Sequence, residues 1–235
     1  MSTTGSNQTK KVKIYIISLP IGNDADLSYR AKEILETADL LIGEESKFLS
    51  AFLKRIGIPR KFILYNEHSN EKDFQELLQE IRNSKVVAFV SDAGLPNLED
   101  PGRSLIPKLY DSGFELDFCP GASSLDAGLA LCGFSTRPFT FVGLLPREPE
   151  IRKQELTRYL KLNHTLVILE TPYRYKKIIE DLVPFLNKNS NRRIFLGLHL
   201  THPSEQWMYR GKIENLIPLL QQLPKAPPII LIEGK

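Results

Sequence analysis

From Val12 onward the chain alternates short apolar runs with stretches of helical period. VKIYIIS is followed by Leu27, Ala31, Ile34, Leu35 and Ala38 at i, i+4, i+7, i+8 and i+11, the stripe of an amphipathic helix. DLLIG leads into Phe48, Leu49, Phe52, Leu53 and Ile56, closed by Gly57, and KFILY into Phe74, Leu77, Leu78 and Ile81. VVAFV, a helix with Leu105, Ile106 and Leu109 stopped by Gly113, and FELDF complete the series. Five strands separated by four helices predict a parallel sheet covered on both faces, because each return crossover needs a connection of helix length.

Pro120-Gly121 marks a hinge, after which Ser123 or Ser124 caps a helix carrying Leu125 and Leu129. FTFV, TLVILE, RIFLGLHL, QWMYRG and PIILIE are five further strands. Those around Leu196 and Met208 follow each other without a helix, which predicts an antiparallel hairpin in a mixed sheet. The expected organisation is a leader over residues 1–11, small and polar in Met1–Thr9 and disordered, then an α/β domain over 12–119 and a second over 120–235.

Composition changes this picture little. Across 235 residues, 42% hydrophobic and 25% charged positions match folded globular chains and exclude collagen, coiled coils and disulfide scaffolds. The 31 Lys and Arg against 28 Asp and Glu leave a net charge of +3, too small an excess to demand a nucleic-acid partner by itself. Cys119 and Cys132 form no CxxC pair and have no neighbouring His, so no metal site is expected and a reducing, cytoplasmic compartment fits. The apolar stretch from Ile14 to Ile21 is broken by Ser18 and Pro20 and is too short for a membrane span.

Several chemistries lack their residues. Neither GxGxxG nor GxxxxGK occurs, and no GxSxG elbow surrounds Ser123 and Ser124. His199 and His202, read as strand residues three apart, are expected to point to opposite faces and not to share a ligand.

Four segments at strand ends concentrate polar and turn residues. SDAGLPNLEDPG, Ser91 to Gly102, follows VVAFV; its glycines and prolines exclude a helix interior or a central strand, and open α/β sheets bind ligands at this position. Leu19 to Asn23 follows the first strand, Glu44-Glu45-Ser46 the second, and Glu170-Thr171-Pro172-Tyr173-Arg174 follows TLVIL. Thr171 is a candidate cap with Pro172 in the first helical turn, and the Glu44-Glu45 pair equally suits a helix amino-terminus.

In order and spacing, LPIGN, DLSYRA, GEES, YNEHSNE, VSDAGLPNLEDPG, PGASS, FVGLLP and ETPYR resemble the tetrapyrrole methylase superfamily of S-adenosylmethionine-dependent methyltransferases, from about Lys13 to Glu233. Within it they are most similar to the branch that methylates a cytidine ribose 2′-oxygen in small-subunit ribosomal RNA. The resemblance implies two α/β domains with an interdomain cofactor cleft, a homodimer, S-adenosyl-L-methionine as cofactor, and ribosomal RNA or the small subunit as substrate. It implies cofactor contacts from Pro20, Ser91, Asp92, Ala93, Gly94, Pro96 and Asp100, from Ser123 and Ser124, and from Gly143, Leu144, Thr171, Pro172, Tyr173, Ala226, Pro227 and Pro228.

Methyl transfer is an in-line displacement from a sulfonium, so positioning does most of the work and no covalent nucleophile is needed. A ribose hydroxyl benefits from a proton acceptor. The candidates are Glu44, Glu45, His68, Asp100 and Glu170, with Lys47 and Arg174 as phosphate contacts. Phe48 stands where that branch carries a basic residue, and LHLT, Leu198 to Thr201, where it carries RELT. These departures keep two alternatives open: a methyltransferase acting on a tetrapyrrole or other small molecule, and a cofactor-binding module without turnover.

Overall fold

The computed structural model describes residues 11–99, 102–186 and 191–235. The leader expected over Met1–Thr9 and the candidate residue Asp100 lie outside these. The chain divides into two compact units, one running up to Pro20 and over Asp24–Ala122, the other comprising Ile21–Asn23 and Ser123–Lys235.

The first unit alternates β1 (Lys13–Ile17), α1 (Tyr29–Thr37), β2 (Leu40–Gly43), α2 (Ser46–Arg55), β3 (Ile63–Leu64), α3 (Glu71–Asn83), β4 (Val86–Val90), α4 (Gly102–Asp111) and β5 (Leu116–Cys119). Its sheet runs in the order β3-β2-β4-β1-β5, with every pair parallel. The two-residue side-chain period divides the sheet between two cores. Ile17, Leu41, Ala88 and Val90 pack with α1 and α2, whereas Ile14, Ile42, Val87 and Phe89 pack with α3 and α4. Right-handed crossovers explain the division: the path moves outward through β2 to β3 with helices on one face, then returns through β4 to β5 with helices on the other. Side chains fix the helix starts, Ser28 Oγ accepting from Ala31 N and Asn70 forming a capping box with Asp73.

The second unit holds α5 (Ser124–Leu131), β6 (Phe139–Leu144), α6 (Pro149–Tyr159), β7 (Thr165–Leu169), α7 (Tyr175–Leu182), β8 (Ile194–Leu198), β9 (Trp207–Gly211), α8 (Ile213–Leu216), a 3-10 segment (Ile217–Gln222) and β10 (Pro228–Ile232). Its sheet order is β6-β7-β10-β8-β9, parallel only between β6 and β7. Leu166, Ile168, Leu196 and Ile230 face α6 and α7, whereas Val167, Phe195, Ile229 and Leu231 face Leu125 and Leu129 of α5.

Three local expectations change. The strand in KFILY shortens to Ile63–Leu64. Thr171 and Pro172 form a turn, and α7 starts only at Tyr175 with Arg174 as its N-cap residue. β8 ends at Leu198, so His199 and His202 are not strand residues: His199 and Thr201 take φ of 47° and 69°, and the two imidazoles lie 5.8 Å apart. The chain leaves the extended conformation before the alternation that was to separate them can act.

Candidate functional site

In the first unit the carboxyl ends of β1 to β4 converge. After β1, Leu19 pairs with Gly94 of the loop following β4: Leu19 N donates to Gly94 O at 2.9 Å, and Gly94 N to Leu19 O at 3.1 Å. Gly94 holds φ of 71°, a left-handed conformation that glycine adopts without strain. Asn97 and Glu99 share that conformation without a glycine's freedom, at 81° and 65°, so the loop is bent back tightly. Pro20, Ser91, Gly94 and Pro96 are buried, while Asp92 is half-buried and Ala93 exposed. Asp92 Oδ1 accepts from Glu45 N at 3.2 Å, which ties the loop to the end of β2. Asn66, just past β3, donates through Nδ2 to Glu44 O at 3.4 Å.

These contacts sort the proton-acceptor candidates. Glu44 is half-buried and lines a cavity of about 470 Å³ with Tyr65, Asn66 and Glu67. Glu45 is the exposed N-cap residue of α2 and makes no side-chain cap bond. The His68 side chain is 86% exposed and faces Glu67 at 3.6 Å. Lys47 is exposed on the first turn of α2.

In the second unit the remaining segments meet at one end of the mixed sheet. Gly143 pairs with Ile168 and Leu144 with Leu169 across a register irregularity in β6, and Leu169 in turn opposes Ile229 at the start of β10. Because β10 runs antiparallel to β7, Ala226, Pro227 and Pro228 come to the same end as Gly143, Leu144 and the Thr171–Tyr173 turn. His199 N donates to Pro227 O at 3.2 Å and joins the LHLT turn to them. Ser123 caps α5, its Oγ accepting from Asp126 N at 3.4 Å, and Ser124 opens that helix.

Glu170 is the buried acid of this group, its side chain wholly shielded. Oε1 accepts from Thr171 N at 2.7 Å, whereas Oε2 has no hydrogen-bond donor and lies 3.4 Å from Arg174 Nη2. That guanidinium nitrogen donates to the carbonyls of Leu145 and Pro146 at 2.9 and 3.1 Å. Arg174 is thus bound up in holding the β6 exit, which competes with the phosphate contact expected of it. Tyr173 is 78% exposed, and the Lys225 ammonium sits 4.6 Å from its ring centroid.

Sequence reasoning passed over Lys225 and the α4 side of the cavity, Arg103 and Lys108, and read the His199–His202 turn as strand. The Lys108 ammonium is held protonated, its pKa raised by its hydrogen bond to Glu71. No signal along the chain joins Arg103 to Asn66; only the crossover between them does. Among the described residues no cluster of His, Cys, Asp and Glu has metal-binding geometry. No helix among them is long and apolar enough to cross a membrane.

The family model described as tetrapyrrole (corrin/porphyrin) methylases matches residues 13–217. This chain belongs to the tetrapyrrole methylase family. It is 42% identical over 94% of its length to the "Ribosomal RNA small subunit methyltransferase I" of Leptospira borgpetersenii serovar Hardjo-bovis (strain L550), covering 88% of that protein. It is 30% identical over 95% of its length to the protein of the same name from Thermotoga maritima, covering 99% of it. Its fold is similar to that of the uroporphyrin-III C-methyl transferase of Thermus thermophilus solved with S-adenyl homocysteine: the TM-score is 0.64 at 15% identity, over 94% of this chain and 97% of that one.

As a tetrapyrrole methylase the chain is an S-adenosylmethionine-dependent methyltransferase. Its residues suit that cofactor. The buried Glu170 oxygen that lacks a donor fits an amine or ribose hydroxyl, and the sharply bent loop around Gly94 offers backbone rather than bulky side chains.

Proposed function

We propose that this tetrapyrrole methylase transfers a methyl group to small-subunit ribosomal RNA, at a cytidine ribose 2′-oxygen. The 42% identity to a relative named for that RNA, over 94% of the chain, carries the reading. A small-molecule acceptor and a module without turnover are not favoured, since the relatives share one name and nearly the whole chain length. Bound S-adenosylmethionine supplies the electrophilic methyl group. The chain's own residues do the rest: the Gly94 loop binds and orients, and Glu44, lining the polar cavity of the same unit, accepts the hydroxyl proton. Glu170 orients the bound cofactor through its buried carboxylate. Candidate contacts lie in each unit taken by itself: Pro20 and Ser91 to Pro96 in the first, and Gly143, Leu144, Thr171, Pro172, Tyr173 and Ala226 to Pro228 in the second. A homodimer in the cytoplasm belongs to the same reading and is checked by sedimentation of the purified chain.

The deciding experiment incubates the full chain with labelled S-adenosylmethionine and unmodified small ribosomal subunits. Label in small-subunit RNA, resistant to alkaline hydrolysis at one cytidine, is expected. Cofactor binding without label in any RNA overturns the acceptor assignment.

A further inference from the structure

The cavity of the first unit lies where the general geometry of parallel sheets puts ligands, beyond the carboxyl ends of β2 and β3. Glu44 follows β2, Tyr65 and Asn66 follow β3, and α4 closes the far wall with Arg103, Ser104 and Lys108. Its volume of about 470 Å³ is that of a small-molecule site. Every lining residue carries a charged, amide or hydroxyl group, which suits a ligand with both an anionic end and a hydrogen-bonding edge.

We propose that this cavity seats one nucleotide of a single-stranded RNA, its phosphate against Arg103 and Lys108 and its base edge against Asn66 and Glu67. The inference rests on the ribosomal RNA reading above and names the part of the molecule that holds the acceptor. Arg103 meets Glu99 through Nη1 at 3.0 Å with its side chain 64% exposed, a pair of small worth that a phosphate oxygen can replace. Lys108 pairs with Glu71 at 3.0 Å and lies 4.7 Å from the Phe74 ring centroid, so its charge is fixed at the cavity wall rather than swinging in solvent. On the opposite wall, amide and carboxylate supply the donor and acceptor pattern by which unstacked bases are read. The cavity also adjoins the expected cofactor segment. One loop pairs with Leu19 at Gly94 and reaches the cavity at Glu99, so acceptor and donor seats share a wall.

The test uses the full chain, a short fluorescent single-stranded RNA and unmodified small ribosomal subunits, with Arg103→Gln and Ser104→Trp as variants. Ser104 is exposed on α4, so an indole there fills the cavity without entering the core. Ser104→Trp is expected to raise KM for subunits about tenfold or more while S-adenosylhomocysteine affinity stays within about twofold. Arg103→Gln is expected to lower the slope of log affinity for RNA against log salt by about 0.7, the share of one phosphate contact on a single strand. Should Ser104→Trp fail to fold, the solvent-exposed Arg103→Gln decides alone. Wild-type KM and an unchanged salt slope in variants of an active enzyme overturn the cavity assignment and leave the ribosomal RNA reading standing. A wild-type chain that binds S-adenosylhomocysteine but methylates no small-subunit RNA overturns both.

Discussion

At the scale of single residues, two carboxylates that read alike along the chain have opposite surroundings. Glu44 lines an open polar cavity, whereas Glu170 is sealed from solvent with one oxygen bound to its own turn. A proton acceptor must meet the substrate's hydroxyl, so Glu44→Gln is expected to lower kcat roughly 100-fold with KM and S-adenosylhomocysteine affinity little changed. Glu170→Gln is expected to act on cofactor affinity instead. A Glu44→Gln enzyme with wild-type kcat in single-turnover assays removes it from the chemistry. The loop gives a second contrast: Gly94→Val places a β-branched residue at φ of 71°, a strain of about 1–3 kcal/mol concentrated on the Leu19 pairing. Calorimetry is expected to show lost S-adenosylhomocysteine binding, and unchanged affinity would detach that loop from the site. Glu44, Glu170 and Gly94 stand out as candidates because a turn residue or an acid after an apolar strand is conspicuous in sequence. Arg103 and Lys108 do not, since on an amphipathic helix they look like any solvated face.

At the scale of elements, the first unit is legible nearly strand for strand because its central strands β1, β2 and β4 are apolar on both faces and its helices carry full stripes. The second is harder. α6 buries only Arg152 and Leu156, too little to announce a helix, and Thr171-Pro172, a plausible cap and first turn, is spent on the bend that brings Arg174 to the β6 exit. Two glycines show where close approach matters. A Cβ on Gly22 would lie 2.4 Å from the Leu200 carbonyl oxygen, backbone that can yield only by moving the turn after β8. A Cβ on Gly43 would lie 2.2 Å from Leu49 Cδ2, the far end of a side chain able to change rotamer. Gly22→Ala is therefore expected to cost about 2–3 kcal/mol and Gly43→Ala about 1 kcal/mol, read as shifts in the urea midpoint at constant slope. The reverse order would mean that the Leu200 turn is the softer of the two.

At the scale of the molecule, two carboxylates of the second unit tie its stability to pH. Asp181 and Glu233, both in the second unit, have pKa values lowered below the usual carboxylate range. For Asp181 burial pulls upward, and the hydrogen bonds from Lys177 and Arg152 outweigh it; for Glu233 the Arg193 hydrogen bond dominates. In the first unit Glu71 is also lowered, by Gln75 and then Lys108, but it stands in full solvent and contributes little. A carboxylate depressed in the folded state adds stability above its unfolded pKa of about 4, and that stability is lost as pH falls through the folded value. The second unit is therefore expected to lose this part of its stability on acidification below about pH 4. The chain has a single tryptophan, Trp207, stacked on Tyr209 in β9, so its fluorescence reports that unit alone. Arg152 isolates the effect: its side chain is 5% exposed, its Nε donates to Asp181 Oδ2 at 2.8 Å, and Nη1 donates to the Pro146 and Arg147 carbonyls. Arg152→Leu is expected to cost about 3 kcal/mol at pH 7. By the same linkage its deficit against wild type is expected to shrink as pH falls through the lowered folded pKa of Asp181, below which the carboxyl is protonated with or without its partner. A deficit that stays constant across that range, followed through Trp207 in urea, would assign the loss to the two carbonyl bonds and not to the ion pair.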